Sequence, residues 1–315
     1  MKAVVLGADD AFQLSEVPDP VAGPGEVAIR AAYAGVQYGD VLVRQGHFPI
    51  PRPFVPGFEV AGEIVAVGDG VDSARIGEQV VALIGGGGYA EVVTAPAMLA
   101  INAAKVDART AAGFGWVTPT AYDLINTVAR VRPGDSVLIH AAAGGVGTLA
   151  GQFAAAAGAQ RIVGVVGNAG QIGHARRSGY HEVLVREQFP AALDERTFDV
   201  ILDPIGGPAR VASLERLAPH GRIVVYGNIA TFEPVTVSVN DLLTQGQSLL
   251  TYNSNLAART HPSRLAGSAT RAMALVADGT VRIDVTAEYA LADVETAIAH
   301  LADGTTHGKS VVRVS

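Results

Sequence analysis

With 315 residues, 49% of them hydrophobic, the chain has the length for two domains and the apolar content for a sizeable core. Its net charge of −7, with no basic cluster to reverse it, argues against a nucleic-acid-binding face. The absence of cysteine excludes disulfides, thiolate catalysis and cysteine-ligated zinc.

Met1–Leu6 opens directly on alternating apolar residues, without a charged n-region, an h-region or a cleavage site, so no secretory signal is read. Residues 1–98 then carry the apolar segments KAVVL, EVAIRAAYAGV, EVAGEIVAVG, EQVVALI and YAEVVTA, broken by Pro and Gly. Strands at that spacing predict a compact, barrel-like β domain. Gly23-Pro24-Gly25 and Gly68-Asp69-Gly70 read as turns. Gly85–Gly88 precedes the alternating YAEVV rather than a helix, so it reads as a bend between strands and not as a phosphate loop. The eight histidines show no H-x-x-H or H-x-x-x-H pair. Asp40 and Glu59 have two readings: a catalytic carboxylate, or a turn carboxylate that accepts from backbone or pairs with an arginine.

TPTAYDLI reads as a helix with Pro119 in its first turn. Ser136–His140 reads as a short buried strand, followed by a Gly-rich turn and the helical TLAGQFAAAAG with an apolar stripe through Leu149, Phe153 and Ala157. Strand, glycine turn and helix N-terminus in that order make an anion site, because free N–H groups and the helix dipole converge on the turn. Written against G-x-G-x-x-G, the match is Ala142-Ala143-Gly144-Gly145-Val146-Gly147, with Ala in the first place. The uncharged run Ala141–Ala159 is too rich in Ala and Gly to read as a membrane span, and a soluble, cytoplasmic protein is expected.

A second strand, in AGAQRIVGVVGN, ends at Val165-Val166-Gly167-Asn168. A carboxylate at such a tip would bind the ribose hydroxyls of NAD; its absence here removes the repulsion against a 2′-phosphate and points to NADPH. Arg176, Arg177 and Arg186 are the nearby cations. FDVILDPIGG and GRIVVYGN are two further strand-plus-turn units, with Asp203 read as structural. Strands alternating with helical runs give a parallel sheet with helices on both faces. SRLAGSATRAMALVADGTVR and LADVETAIAHLADG are amphipathic helices, the second opened by Asp293 as N-cap, and THGKSVVRV is the closing strand.

Ala34–Pro49 (AGVQYGDVLVRQGHFP), Pro56–Gly68 (PGFEVAGEIVAVG), VRPGDSVLIH and HAAAGGVG together resemble the medium-chain dehydrogenase/reductase superfamily. The glycine motif, with its leading Ala, matches the zinc-free quinone oxidoreductase branch residue for residue. The resemblance covers essentially the whole chain. It implies an α/β fold: a GroES-like β-rich catalytic domain from residues 1–117 and 254–315, and a Rossmann doubly wound NADPH-binding domain from residues 118–253, with the active site in the cleft between them. Where the superfamily's alcohol dehydrogenases carry cysteine and histidine zinc ligands, this chain has Gln37 and Phe58, so no metal is expected. Relatives often have Tyr where this chain has Phe48, which cannot donate a proton.

The catalytic candidates implied are Gln37, Tyr38, Asp40, Tyr252 and Asn253. Tyr38 is divided between core packing and hydrogen bonding near the nicotinamide, and Tyr252 and Asn253 between substrate contact and an ordinary turn. The cofactor candidates are Thr118, Ala142, Gly144, Gly145, Val146, Gly147, Asn168, Gln171, Arg186, Gly227, Asn228 and Lys309. Gln171 stands where many relatives place a lysine, and Arg186 near where they place a phosphate-contacting tyrosine. Lys309 either approaches the cofactor or lies on the surface. The function implied is NADPH-dependent hydride transfer to a quinone or an α,β-unsaturated carbonyl. An enoyl reductase tailoring a natural product and a non-catalytic NADPH-binding protein are the alternatives. A homodimer, paired through the last strand of the nucleotide domain, follows by the same resemblance.

Overall fold

The computed structural model describes residues 1–48, 50–194 and 197–315. The chain divides into two compact units, Met1–Pro119 with Thr260–Ser315, and the contiguous Thr120–Arg259.

The first unit opens with the antiparallel pair β1 (Lys2–Leu6) and β2 (Phe12–Glu16), then the long β3 (Glu26–Val36) and a short helix α1 (Tyr38–Arg44). β4 (Glu59–Val67), β5 (Gln79–Leu83), β6 (Val92–Pro96) and β7 (Ala100–Asn102) follow, before helices α2 (Ala108–Phe114) and α3 (Val117–Tyr122). The two expected glycine turns lie side by side: Gly25 N–H donates to Asp69 O (2.8 Å) and Gly68 N–H to Glu26 O (2.9 Å). Gly85–Gly88 is a bend between β5 and β6, with no helix after it. The TPTAYDLI helix does not run on as one regular helix. α3 passes at Asp123 into a π-helical stretch, Asp123–Val128. Such wide turns recur at functional sites, because they push one side chain out of helical register.

The second unit carries β8 (Ser136–His140), α4 (Gly145–Ala156), β9 (Arg161–Val166), α5 (Ile172–Arg176), β10 (Glu182–Val185), β11 (Phe198–Asp203), α6 (Gly207–Glu215), β12 (Leu217–Val225), α7 (Val239–Gln245) and β13 (Ser248–Thr251). Its strands form one parallel six-stranded sheet in the order β10-β9-β8-β11-β12-β13. The order reverses at β8, so a crevice opens beyond the carboxyl ends of β8 and β11, where open α/β sheets bind their ligands. Leu138, Val163, Phe198, Ile201, Leu217 and Ile223 fill its core. α4 ends at Ala156, so the apolar stripe stops at Phe153 and Ala154, and Ala157 lies past it at the C-cap.

Helix α8 (Ser254–Thr260) leads back to the first unit, which is completed by α9 (Pro262–Ala277), β14 (Val285–Ala290), α10 (Val294–Ala302) and β15 (Lys309–Arg313). β15 pairs antiparallel with β3, Ser310 opposite Val36, giving the sheet order β14-β15-β3-β4-β5-β7 with β6 also on β3. The N- and C-terminal parts thus share one sheet and one core, with Ile29, Val60, Ile64 and Tyr89 packed with Ile298 and Val312. Asp293 occupies the N-cap position of α10, but its side chain makes no capping hydrogen bond; its φ of −101° and ψ of 15° depart from the extended backbone that aims a cap at the helix.

Candidate active site

The catalytic candidates Gln37 and Asp40 of the first unit lie in a buried hydrogen-bond network. Gln37 is the residue before α1, and Asp40 reaches back from the helix's first turn to accept its N–H at 3.0 Å. Asp40, only 1% exposed, also accepts from Gly57 N–H (3.2 Å) and the Tyr89 hydroxyl (2.9 Å). Burial, aided by the nearby Glu59, pushes its carboxyl up to about 7 against the lowering effect of those donors. Tyr89 has the matching perturbation: burial first, then the Asp40 charge, push its phenol well up. Tyr38 is half-buried against the core, and burial raises its phenol, which keeps it protonated at neutral pH.

Glu59 and Lys309 form the second half of this network. The Lys309 ammonium donates to Glu59 Oε1 at 2.5 Å and to the Val36 carbonyl at 2.7 Å, while Glu59 Oε2 accepts from Trp116 N–H at 2.7 Å. Trp116 Nε1 donates in turn to the Phe58 carbonyl at 2.7 Å. The two strand ends that carry Gln37 and Phe58 are therefore tied together through Lys309, Glu59 and Trp116. Room for the carboxylate comes from glycine: a Cβ on Gly35 or Gly115 would overlap the Glu59 side chain. Lys309 is 3% exposed, so the surface reading of it is corrected; its tail has been drawn inward by a carboxylate 250 positions earlier in the chain. Thr118 is fully buried, with its hydroxyl donated to the Phe114 carbonyl at 2.7 Å.

In the second unit, the glycine loop is built from backbone. The chain leaves β8 through Ala141 at φ +54°, a left-handed conformation uncommon for a residue with a side chain. The turn closes with Gly144 N–H on Ala141 O at 2.9 Å, and α4 starts at Gly145 with no side chain capping it. Its first N–H groups and the positive end of its dipole are thus left for a ligand. Gly147 permits the close approach of helix to strand: a Cβ there would overlap Ala141 O and lie 2.7 Å from Ala142 Cα. Ala142, in place of the first glycine, is fully buried, and its methyl takes the space that Gly164 leaves open, where a Cβ would sit 2.7 Å away.

At the next strand tip, Gly167 N–H donates to Gln171 Oε1 at 2.9 Å, and Asn168 is exposed with no carboxylate beside it in sequence. β10 runs parallel to β9 with Val185 opposite Val166, so Arg186 follows the adjacent strand tip level with Gly167. Its side chain is 72% exposed and has Glu187 at 3.7 Å. Arg176 and Arg177 are exposed at the end of α5.

At the opposite wing, Asp203 is wholly buried and accepts from Ile205 N–H (2.7 Å) and Gly206 N–H (3.2 Å), and its other oxygen from Arg210 Nε (2.5 Å). Arg210 also donates to the Gly227 carbonyl and to Asn228 Oδ1. Tyr252 donates its hydroxyl to Asp123 Oδ2 at 2.8 Å, and Thr127 donates to the other oxygen at 2.9 Å. The π-helical stretch that begins at Asp123 thus serves Tyr252. Asn253 Oδ1 accepts from Leu256 N–H at 2.9 Å and so turns the chain into α8.

Sequence reasoning missed Asp123, Arg210, Tyr89 and Trp116. For Arg210 there was a usable signal, an arginine seven residues after a buried strand-end aspartate; for the others there was none. The catalytic candidates are shared between the units, Gln37, Tyr38 and Asp40 in the first and Tyr252 and Asn253 in the second.

Zinc, the metal named in the description of one matching family below, does not fit this chain. Gln37 and Phe58 replace the cysteine and histidine ligands, and no group of three or more His, Cys, Asp or Glu converges among the described residues. Also among the described residues, no helix is long and apolar enough to cross a membrane.

Comparison with known proteins gives two family matches: the alcohol dehydrogenase GroES-like domain over residues 23–105 and the zinc-binding dehydrogenase family over residues 145–263. A quinone oxidoreductase of Pseudomonas aeruginosa is 30% identical over 97% of this chain and 96% of its own length. The synaptic vesicle membrane protein VAT-1 homolog of Rattus norvegicus is 33% identical over 70% of this chain, and the match spans only 57% of that longer protein. Among solved structures, a mycobacterial protein complexed with NADPH superposes with a TM-score of 0.87 at 29% identity, over 99% of both chains.

Proposed function

The chain belongs to the quinone oxidoreductase branch of the medium-chain dehydrogenase/reductase superfamily, and on that premise we propose that it is a zinc-independent reductase that uses NADPH to reduce a quinone or an α,β-unsaturated carbonyl. The observation that carries this reading is the contrast at Gln37 and Phe58. An open dinucleotide loop is retained, while the two metal-ligand positions hold an amide and a phenyl ring. When bound, NADPH supplies the hydride.

The residues that would hold the cofactor are those of the uncapped α4 N-terminus for the pyrophosphate, with Gly147 keeping the approach close. The exposed guanidinium of Arg186, level with Gly167, is assigned to the 2′-phosphate. Without a metal, the developing negative charge on the substrate oxygen needs hydrogen-bond donors. The Gln37 amide and the Tyr38 phenol, protonated at neutral pH, are assigned that work; the Tyr252 hydroxyl is already donated to Asp123, and Asn253 Oδ1 is taken by Leu256 N–H. Asp40, whose oxygens already take three donors, fixes the Gln37 backbone rather than meeting substrate. β13 is the last strand of its sheet, with Leu249 39% exposed, and is the edge through which two copies would pair.

The test is NADPH consumption with a panel of quinones, enones and enoyl thioesters, alongside NADPH and NADH affinities of the wild type and Arg186→Ala. Turnover of at least one class, with NADPH bound at least tenfold more tightly than NADH and that preference reduced in Arg186→Ala, is expected. Tight NADPH binding with no turnover would sink the enzyme reading, and equal affinity for NADH would sink the assignment of the 2′-phosphate site.

A further inference from the structure

The tips of β11 and β12 are joined by one guanidinium. Arg210 Nε donates to Asp203 Oδ2 at 2.5 Å, Nη2 to the Gly227 carbonyl at 2.8 Å and Nη1 to Asn228 Oδ1 at 3.1 Å. The Arg210 side chain is 11% exposed and Asp203 wholly buried, whereas Asn228 is exposed just past the carboxyl end of β12. The backbone locks the same loops a second time, with Ile229 N–H on Pro204 O and Ala230 N–H on Ile205 O. The fork of Arg210 therefore closes on a fixed frame, and its one side-chain amide partner is Asn228.

That contact decides which way the amide faces. An arginine N–H is always a donor and an amide nitrogen is not an acceptor, so Asn228 must turn its oxygen to Arg210. The Nδ2 group is then directed away from Arg210, and among the described residues nothing takes its two donors. We infer that Arg210 is a positioning residue that orients the Asn228 amide, so that an exposed, pre-aimed N–H pair meets an oxygen acceptor of the bound dinucleotide. This rests on the reading of the second unit as the NADPH site. An unanchored amide would sample both flips and several rotamers, and part of the binding free energy would go into ordering it. Anchored on Asp203 through Arg210, it is set before the ligand arrives.

The experiment measures NADPH dissociation constants by titration, together with Tm, for the wild type, Asn228→Ala, Asn228→Asp, Arg210→Lys and the double variant Arg210→Lys/Asn228→Ala. Asn228→Asp keeps an acceptor for Arg210 but loses the donors and adds a negative charge; it should retain the wild-type Tm and bind NADPH about tenfold more weakly. Asn228→Ala removes the donors without adding charge and should weaken binding about fivefold. Arg210→Lys, which keeps the charge but not the fork, should weaken it about threefold. The double variant should be no weaker than Asn228→Ala alone, because an orienting residue has nothing left to orient. Wild-type affinity in both Asn228 variants, or fully additive losses in the double variant, overturns the inference and leaves the cofactor reading standing. A wild type that fails to bind NADPH overturns both.

Discussion

The first unit's site candidates and the second unit's glycine loop are placed by opposite means. In the first, side chains do it: Asp40, Tyr89, Glu59, Trp116 and Lys309 are buried and hydrogen-bonded to one another or to backbone across as many as 250 positions. In the second, the glycine loop proposed to meet the dinucleotide is backbone, shaped by where a Cβ is missing. A buried network is rigid while complete and costly when one member goes, because its partner is left charged or unpaired in low dielectric. A backbone loop has no partner to lose, and its weakness is steric. Damage to the first unit's network should therefore appear as lost stability, and damage to the glycine loop as lost binding.

The sharpest way to break this contrast is Glu59→Ala. It strands the Lys309 ammonium at 3% exposure, and a loss of about 3–5 kcal/mol is expected in denaturant unfolding. Glu59→Leu combined with Lys309→Met should recover most of it, since removing both charges leaves neither unpaired.

Asp40 sharpens the contrast through pH. Its folded-state value, pushed up to about 7, lies above that of the unfolded chain. The native state therefore holds the proton more tightly, and the stabilisation is fully present below about pH 4 and lost as pH rises through about 7. Unfolding free energies measured between those limits should fall by roughly 2–4 kcal/mol from this group. Asp40→Asn should flatten that part of the profile, and a slope unchanged in the variant would show that another group carries it.

The smallest expected effect on stability belongs to Gly147→Ala. The new methyl must displace backbone at Ala141 and Ala142, at about 1–3 kcal/mol. NADPH affinity should nevertheless fall more than tenfold, because the displaced backbone is the proposed anion site itself. Unfolding and NADPH titration on the same preparation separate the two responses.

The same division explains what could be read from the sequence. Glycine spacing, the carboxylate-free tip at Val166–Asn168 and the period-2 strands are local signals, and local geometry follows from them. The segment EVAIRAAYAGV is β3 from its first residue to its last. Trp116 holding Glu59, Asp123 holding Tyr252 and Lys309 turned inward are long-range facts, with no trace in any window of a dozen residues. β2 escaped notice because its burial is poor, with only Phe12 and Ser15 partly covered in FQLSE, so little apolar alternation marks it. Asp293 was legible as a cap position, but not the local backbone that turns its carboxylate away from the helix.

The Glu59–Lys309 pair also sets an order on assembly. Residues 120–259 are contiguous, so all six strands of the second unit's sheet, β8 to β13, have been made by Thr251, while the first unit still lacks everything from Thr260 onward. The first unit must wait, because β3 lacks its neighbour β15 and Glu59 its counter-charge until residue 309 arrives. During synthesis the amino-terminal strands are thus committed last, although they are made first. The open edge of β3 in that interval is where a nascent chain of this protein is most exposed to mispairing.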